Sequence, residues 1–151
     1  MPCPMNQFTD NSLLIDCEED KLEIEKMEKI KILIVDDNII YQKLLKRTLT
    51  KYYSITNIVT VENGVQALQL LQRQSFDLVF MDIDMPIMNG IECTKVIRNL
   101  FDKELLIIAV STNYTNKDIL NYCDSGMNGY IRKPFHPAAF RRFLVLPQTQ
   151  L

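Results

Sequence analysis

The sequence predicts an α/β protein built on a five-stranded parallel sheet with helices on both faces. Two observations predict it. Five short apolar runs alternate with stretches of helical periodicity across about 117 residues. The runs are apolar at nearly every position, as in strands covered on both faces, and lack the alternation of half-exposed antiparallel strands. Parallel neighbours need crossover connections, and the helical stretches supply them.

The first run, Ile-Leu-Ile-Val at 32–35, ends in Asp36-Asp37. A helix is expected from residue 38 to about 52, with Ile40, Leu44, Leu45 and Leu49 on one side. Residues 55–61 are rich in β-branched side chains and strand-like, and Glu62-Asn63-Gly64 breaks them. Val65, Leu68 and Leu71 fit a second helix. Residues 77–81, Asp-Leu-Val-Phe-Met, read as the third strand and enter Asp82. A loop from 83 to Asn89-Gly90 leads to a helix carrying Ile91, Val96, Ile97 and Leu100. The fourth and most apolar strand covers 105–110. Thr115 and Asp118 have the spacing of a capping box, and their helix ends near Gly126. Residues 129–132 are a short fifth strand, and Pro137 suits the first turn of a last helix. Pro147 is expected to stop that helix after about three turns.

Composition narrows the function classes. With 151 residues, 47 % hydrophobic and 24 % charged, the chain reads as one soluble domain with a tail. A separate output domain is not expected at that length. The formal net charge of −2 supplies no global field for nucleic acid, so no nucleic-acid partner is expected. No membrane partner is expected either, because the longest apolar stretch, 105–110, is far too short to span a bilayer. Charge is unevenly spread: residues 1–29 hold eight acids against three lysines, and residues 30–151 hold eleven acids against fourteen Lys or Arg. The expected division is an acidic, disordered leader at 1–29, one domain at 30–147 and a short tail at 148–151. Four cysteines form no C-x-x-C pair and His136 is the only histidine, so a Cys/His metal site is not expected. The thiols are expected to be reduced, as in the cytosol.

In an open parallel sheet, ligands bind beyond the carboxyl ends of the strands. The first strand ends in Asp36 and Asp37, the third in Asp82, the fourth in Ser111 and the fifth in Arg132-Lys133. Each alone has an ordinary structural explanation as a turn, cap or solvated residue. Their concentration at one sheet edge does not. Two carboxylates about 4 Å apart repel by roughly 4 kcal/mol at an effective dielectric of 20. Three carboxylates and one lysine leave an excess of about two negative charges. An oxygen-coordinated divalent cation, Mg²⁺ by ligand type, would cancel it. A pocket so balanced can take a phosphoryl group, with metal and lysine neutralising its oxygens while a carboxylate attacks in line.

These residues lie in recognisable motifs: Ile-Leu-Ile-Val-Asp-Asp-Asn at 32–38, Val-Glu-Asn-Gly at 61–64, Asp-Leu-Val-Phe-Met-Asp-Ile-Asp-Met-Pro-Ile-Met-Asn-Gly at 77–90, Ala-Val-Ser at 109–111, and Gly-Tyr-Ile-Arg-Lys-Pro-Phe at 129–135. Over residues 31 to about 146 the chain resembles the receiver domain of two-component and phosphorelay response regulators. The resemblance implies a flavodoxin-like strand order, 2-1-3-4-5. It implies Asp82 as phosphoacceptor, and Asp36, Asp37, Asp82 and the backbone carbonyl of Asp84 as the Mg²⁺ site. Ser111 and Lys133 match the groups that bind the phosphoryl oxygens, and Tyr130 matches the aromatic switch. Asp84 and Asn113 match positions that tune phosphoryl lifetime, and Lys133-Pro134 matches a cis peptide bond. The implied output surface is about 116–146.

The resemblance further implies a phosphoryl donor in trans, a histidine kinase or histidine phosphotransfer protein, and a downstream protein partner. The expected role is a stand-alone, non-enzymatic phosphoacceptor in the cytoplasm, or also the nucleus in a eukaryote. In layout the chain is similar to single-domain regulators of stress phosphorelays and of bacterial chemotaxis. Two alternatives stand beside it. One is a receiver-like interaction module that takes no phosphate. The other is a haloacid-dehalogenase-like phosphohydrolase using Asp82 and Asp84, which chain order disfavours because there the acid pair comes last.

Overall fold

The computed structural model describes residues 29–101 and 104–145. Its strands are β1 (Ile32–Val35), β2 (Ile58–Val61), β3 (Leu78–Asp82), β4 (Leu106–Ser111) and β5 (Gly129–Arg132). Between them run α1 (Ile39–Tyr53), α2 (Gly64–Leu71), α3 (Gly90–Leu100) and α4 (Asn116–Ser125). A 3₁₀ turn (Pro137–Phe140) leads into α5 (Arg141–Val145). All pairings are parallel and the order is β2-β1-β3-β4-β5, as expected.

The apolar runs are continuous because each strand serves two cores. Leu33, Val35, Val79, Met81, Ile107 and Ala109 face one side, packed with Ala67, Cys93, Ile97 and Tyr122 from α2, α3 and α4. Ile32, Ile34, Phe80, Ile108 and Val110 face the other, packed with Leu45 and Leu49 of α1 and with Phe140 and Phe143. Successive side chains alternate between faces, so a strand covered on both must be apolar throughout. The helices start at side-chain caps: Asn38, Asn63, Asn89, Thr115 and His136 each accept a backbone N–H from the first turn. Caps of this kind contribute about 1 kcal/mol apiece. Thr115 and Asp118 form the expected capping box.

Several details differ from the sequence expectation. β2 begins at Ile58 rather than 55, because Ser54 takes a left-handed conformation and turns the chain back under α1. Ile55 is then buried, its N–H donating to Leu49 O at 3.2 Å. On α1, Leu45 and Leu49 are buried, but Ile40 and Leu44 are 70 % and 45 % exposed. The buried stripe instead runs through Gln42, Leu45, Thr48, Leu49 and Tyr53, so apolar residue type did not identify the inner face. The last helix is a 3₁₀ turn followed by a short α-helix, and Pro147 lies outside the described residues. So do residues 1–28 of the leader expected at 1–29, and the tail expected at 148–151. Cys93 is a free, buried thiol, whereas Cys123 is disulfide-bonded, against the expectation of a reduced thiol there. Among the described residues, no helix is long and apolar enough to cross a membrane.

β3 and β4 each extend one residue further than expected, so Asp82 and Ser111 are strand residues rather than loop residues. Their backbones are therefore held by the ladder. The start of α3 also abuts β3: a Cβ on Gly90 would lie 2.2 Å from the Asp82 carbonyl oxygen. Both sides of that contact are backbone and cannot yield without moving β3. Gly90→Ala is expected to lower stability by about 2–3 kcal/mol, read as a fall in the urea unfolding midpoint.

Candidate functional site

The parallel register brings the expected site residues to one edge. Val35 pairs with Met81, Asp82 with Val110, and Ser111 with Arg132. The next residues along β1 and β5 are Asp36 and Lys133. Asp36, Asp82, Ser111 and Lys133 are buried, and Asp37 is exposed at the mouth. The Lys133 ammonium donates to Asp36 Oδ2 at 2.9 Å and Asp82 Oδ1 at 3.1 Å. It also lies 4.2 Å from the centroid of the Tyr41 ring. Lys133 N–H donates to Ser111 O at 2.9 Å, and the Lys133–Pro134 peptide is cis. Asp36 Oδ1 accepts from the Asn38 N–H at 2.8 Å, so the turn into α1 orients that carboxylate.

Charge in this pocket is unbalanced. Burial, then repulsion from Asp36, push the Asp82 carboxyl up from 3.8 to about 7, and Lys133 only partly offsets them. Burial works against the Lys133 ammonium, but its hydrogen bond to Asp36 and the two carboxylates hold its pKa above the ordinary lysine value. Carboxylate oxygens of Asp36, Asp37 and Asp82 all lie within 4.8 Å of one another. One lysine cannot neutralise three carboxylates, and an all-oxygen donor set suits a hard divalent cation. The residues therefore fit Mg²⁺.

The two positions flagged for phosphoryl lifetime meet. Asn113 Nδ2 donates to Asp84 Oδ2 at 2.9 Å, linking the β3 and β4 loops above Asp82. Asn113 N–H also donates to Ser111 Oγ at 3.0 Å. Tyr130 is buried against the α2–α4 side of the sheet. Sequence reasoning missed Tyr41, the roof over Lys133, and Gln42, whose amide donates to the Asp36 carbonyl at 2.5 Å. It also missed Tyr122, whose hydroxyl reaches the loop after Ser111. None of the three sits in a motif, and each acts from a helix face that periodicity alone does not orient.

The sequence model of the response regulator receiver domain matches residues 32–144. The chain belongs to this family. Receiver domains are signalling phosphoacceptors rather than enzymes. The receiver is 40 % identical over 117 residues to stress response regulator protein 1 of Candida tropicalis, covering 76 % of this chain and 44 % of that protein. It is 34 % identical over 125 residues to transcription factor SKN7 of Saccharomyces cerevisiae, covering 83 % of this chain and 19 % of that one. This chain thus spans less than half the length of these relatives. Among solved structures it resembles the receiver domain of the sensor histidine kinase PA1611 from Pseudomonas aeruginosa, with a magnesium ion coordinated in its active-site cleft. That likeness has a TM-score of 0.69 and 32 % identity, covering 76 % of this chain and 93 % of that one.

The raised Asp82 pKa has a stability consequence for this receiver. A carboxyl held above its unfolded value favours folding while protonated, and that contribution is lost as pH rises through about 7. Without divalent cation, Asp82→Asn is expected to stabilise the protein at pH 8 by about 1–2 kcal/mol after discounting for solvent screening. At pH 4.5 the gain should shrink towards zero. Urea unfolding in chelator at both pH values checks this, and an equal gain at both would contradict it.

Proposed function

We propose that this receiver accepts a phosphoryl group from a phosphohistidine onto Asp82, with Mg²⁺ held by Asp36, Asp37, Asp82 and the Asp84 carbonyl. The observation carrying the reading is the buried lysine bonded to Asp36 and Asp82 beneath an exposed third carboxylate. In the transfer, a carboxylate oxygen of Asp82 forms a P–O bond while the P–N bond to the donor imidazole breaks. The bound cation supplies neutralisation of the phosphoryl oxygens. Lys133 turns from the Asp82 carboxylate to the new phosphoryl group while keeping Asp36, which already orients it. Ser111 donates to a second phosphoryl oxygen, and Tyr130 follows its movement.

The donor is a histidine kinase or phosphotransfer protein in trans. Exposed Ile39, Ile40 and Leu44 at the start of α1, beside Asp37, offer it an apolar surface. The downstream partner is a protein that reads residues about 116–146. The likeness to yeast stress regulators supports a stress phosphorelay in cytoplasm or nucleus. Residues 30–147 form the receiver unit in this reading, and residues 1–29 and 148–151 stand outside it.

Incubation with acetyl phosphate and Mg²⁺ is expected to give an acid-stable, alkali-labile label that is absent in Asp82→Asn. No label in the wild type would instead support an interaction module that takes no phosphate. Sustained turnover of the donor through Asp84 would support a phosphohydrolase. The Asp84 carboxylate should repel a phosphoryl group on Asp82, and an amide there can still accept from Asn113. Asp84→Asn is therefore expected to lengthen the half-life of the label a few-fold. An unchanged half-life would refute that role.

A further inference from the structure

Ser111 has one hydroxyl proton, and the resting structure gives that proton a partner away from Asp82. Tyr122 projects from α4 with its ring fully buried against the sheet. Its hydroxyl lies 2.5 Å from the Asn113 carbonyl oxygen and 3.3 Å from Ser111 Oγ. A phenol has a single proton to donate. The Asn113 carbonyl has none and is closer, so Tyr122 donates there, and the contact with Ser111 requires Ser111 to donate to Tyr122. Ser111 Oγ meanwhile accepts the Asn113 N–H at 3.0 Å. Asn113 is thus bonded to Ser111 through its N–H and to Tyr122 through its carbonyl.

We infer that Tyr122 is a positioning residue of the switch, a latch on α4 that holds the Ser111 hydroxyl proton away from Asp82 until a phosphoryl group competes for it. The inference rests on the phosphoacceptor reading above and adds a residue to it. One proton cannot serve Tyr122 and a phosphoryl oxygen together. A charged phosphoryl acceptor forms roughly twice as strong a hydrogen bond as a neutral phenol oxygen, so the proton transfers its allegiance when Asp82 is modified. The Ser111–Tyr122 bond is then lost. Both of its ends are tied to Asn113, so the change reaches the loop at 112–115 and, through Tyr122, the second half of α4 together. The coupling is mechanical and local, running through a strand residue, one loop peptide and one helix side chain.

Tyr122→Phe keeps the ring and removes only the hydroxyl, which frees the Ser111 proton in advance. Beryllofluoride with Mg²⁺ serves as the phosphoryl probe, measured by isothermal titration calorimetry on the full chain. Affinity is expected to rise about three- to tenfold in Tyr122→Phe, the size of one released neutral hydrogen bond. In a Ser111→Ala background the same substitution should leave affinity unchanged. Equal affinity in wild type and Tyr122→Phe, or the same change in both backgrounds, would overturn the latch while leaving the phosphoacceptor reading intact. Failure of the wild type to bind beryllofluoride would overturn both. A second measurement needs no variant: the ¹³Cζ resonance of Tyr122 in the wild type should shift on adding beryllofluoride, and an unmoved resonance would also overturn the latch.

Discussion

One buried ammonium organises this receiver. Lys133 sits between Asp36 and Asp82 at 2.9 and 3.1 Å, and so joins the end of β5 to the ends of β1 and β3. Removing both carboxylate partners would leave a buried charge unpaired, a cost larger than the net worth of the pairs. The Tyr41 ring lies over the ammonium, and Lys133 is buried, so little of the charge reaches water. The cis peptide that follows it belongs to the same tight exit from β5.

That arrangement is deliberately incomplete in its charge. Lysine satisfies one negative charge of three, and burial followed by repulsion from Asp36 raises the Asp82 pKa. The three carboxylates therefore form a donor set that suits a hard divalent cation. Exposure divides the carboxylates: Asp37 faces solvent, while Asp36 and Asp82 are buried. The sheet supplies that rigidity because its strands are apolar on both faces and their ends carry the polar groups.

The contacts that lead from Ser111 to α4 are neutral hydrogen bonds rather than ion pairs. Ser111, Asn113 and Tyr122 form a short chain of neutral hydrogen bonds leading from β4 to α4. Neutral bonds of this kind are weaker than the charge-assisted bonds of Lys133 to Asp36 and Asp82. Tyr130 is packed on the same side of the sheet as Tyr122.

Sequence alone determined the fold class, the alternation of strands and helices, the capping box at Thr115, and the set of polar groups at the strand ends. These are local properties: an apolar run, a helical period or a cap is written within a few neighbouring residues. On α1 the apolar pattern marks Leu45 and Leu49 correctly, but Ile40 and Leu44 face out while Gln42 and Thr48 are buried in their place. Only the tertiary structure decided that Lys133 meets a carboxylate 97 residues away, that Asn113 meets Asp84, and that Tyr122 meets Ser111. The reason is physical: strand order and register set those distances, and no spacing along the chain encodes which helix side chain will reach a given strand end.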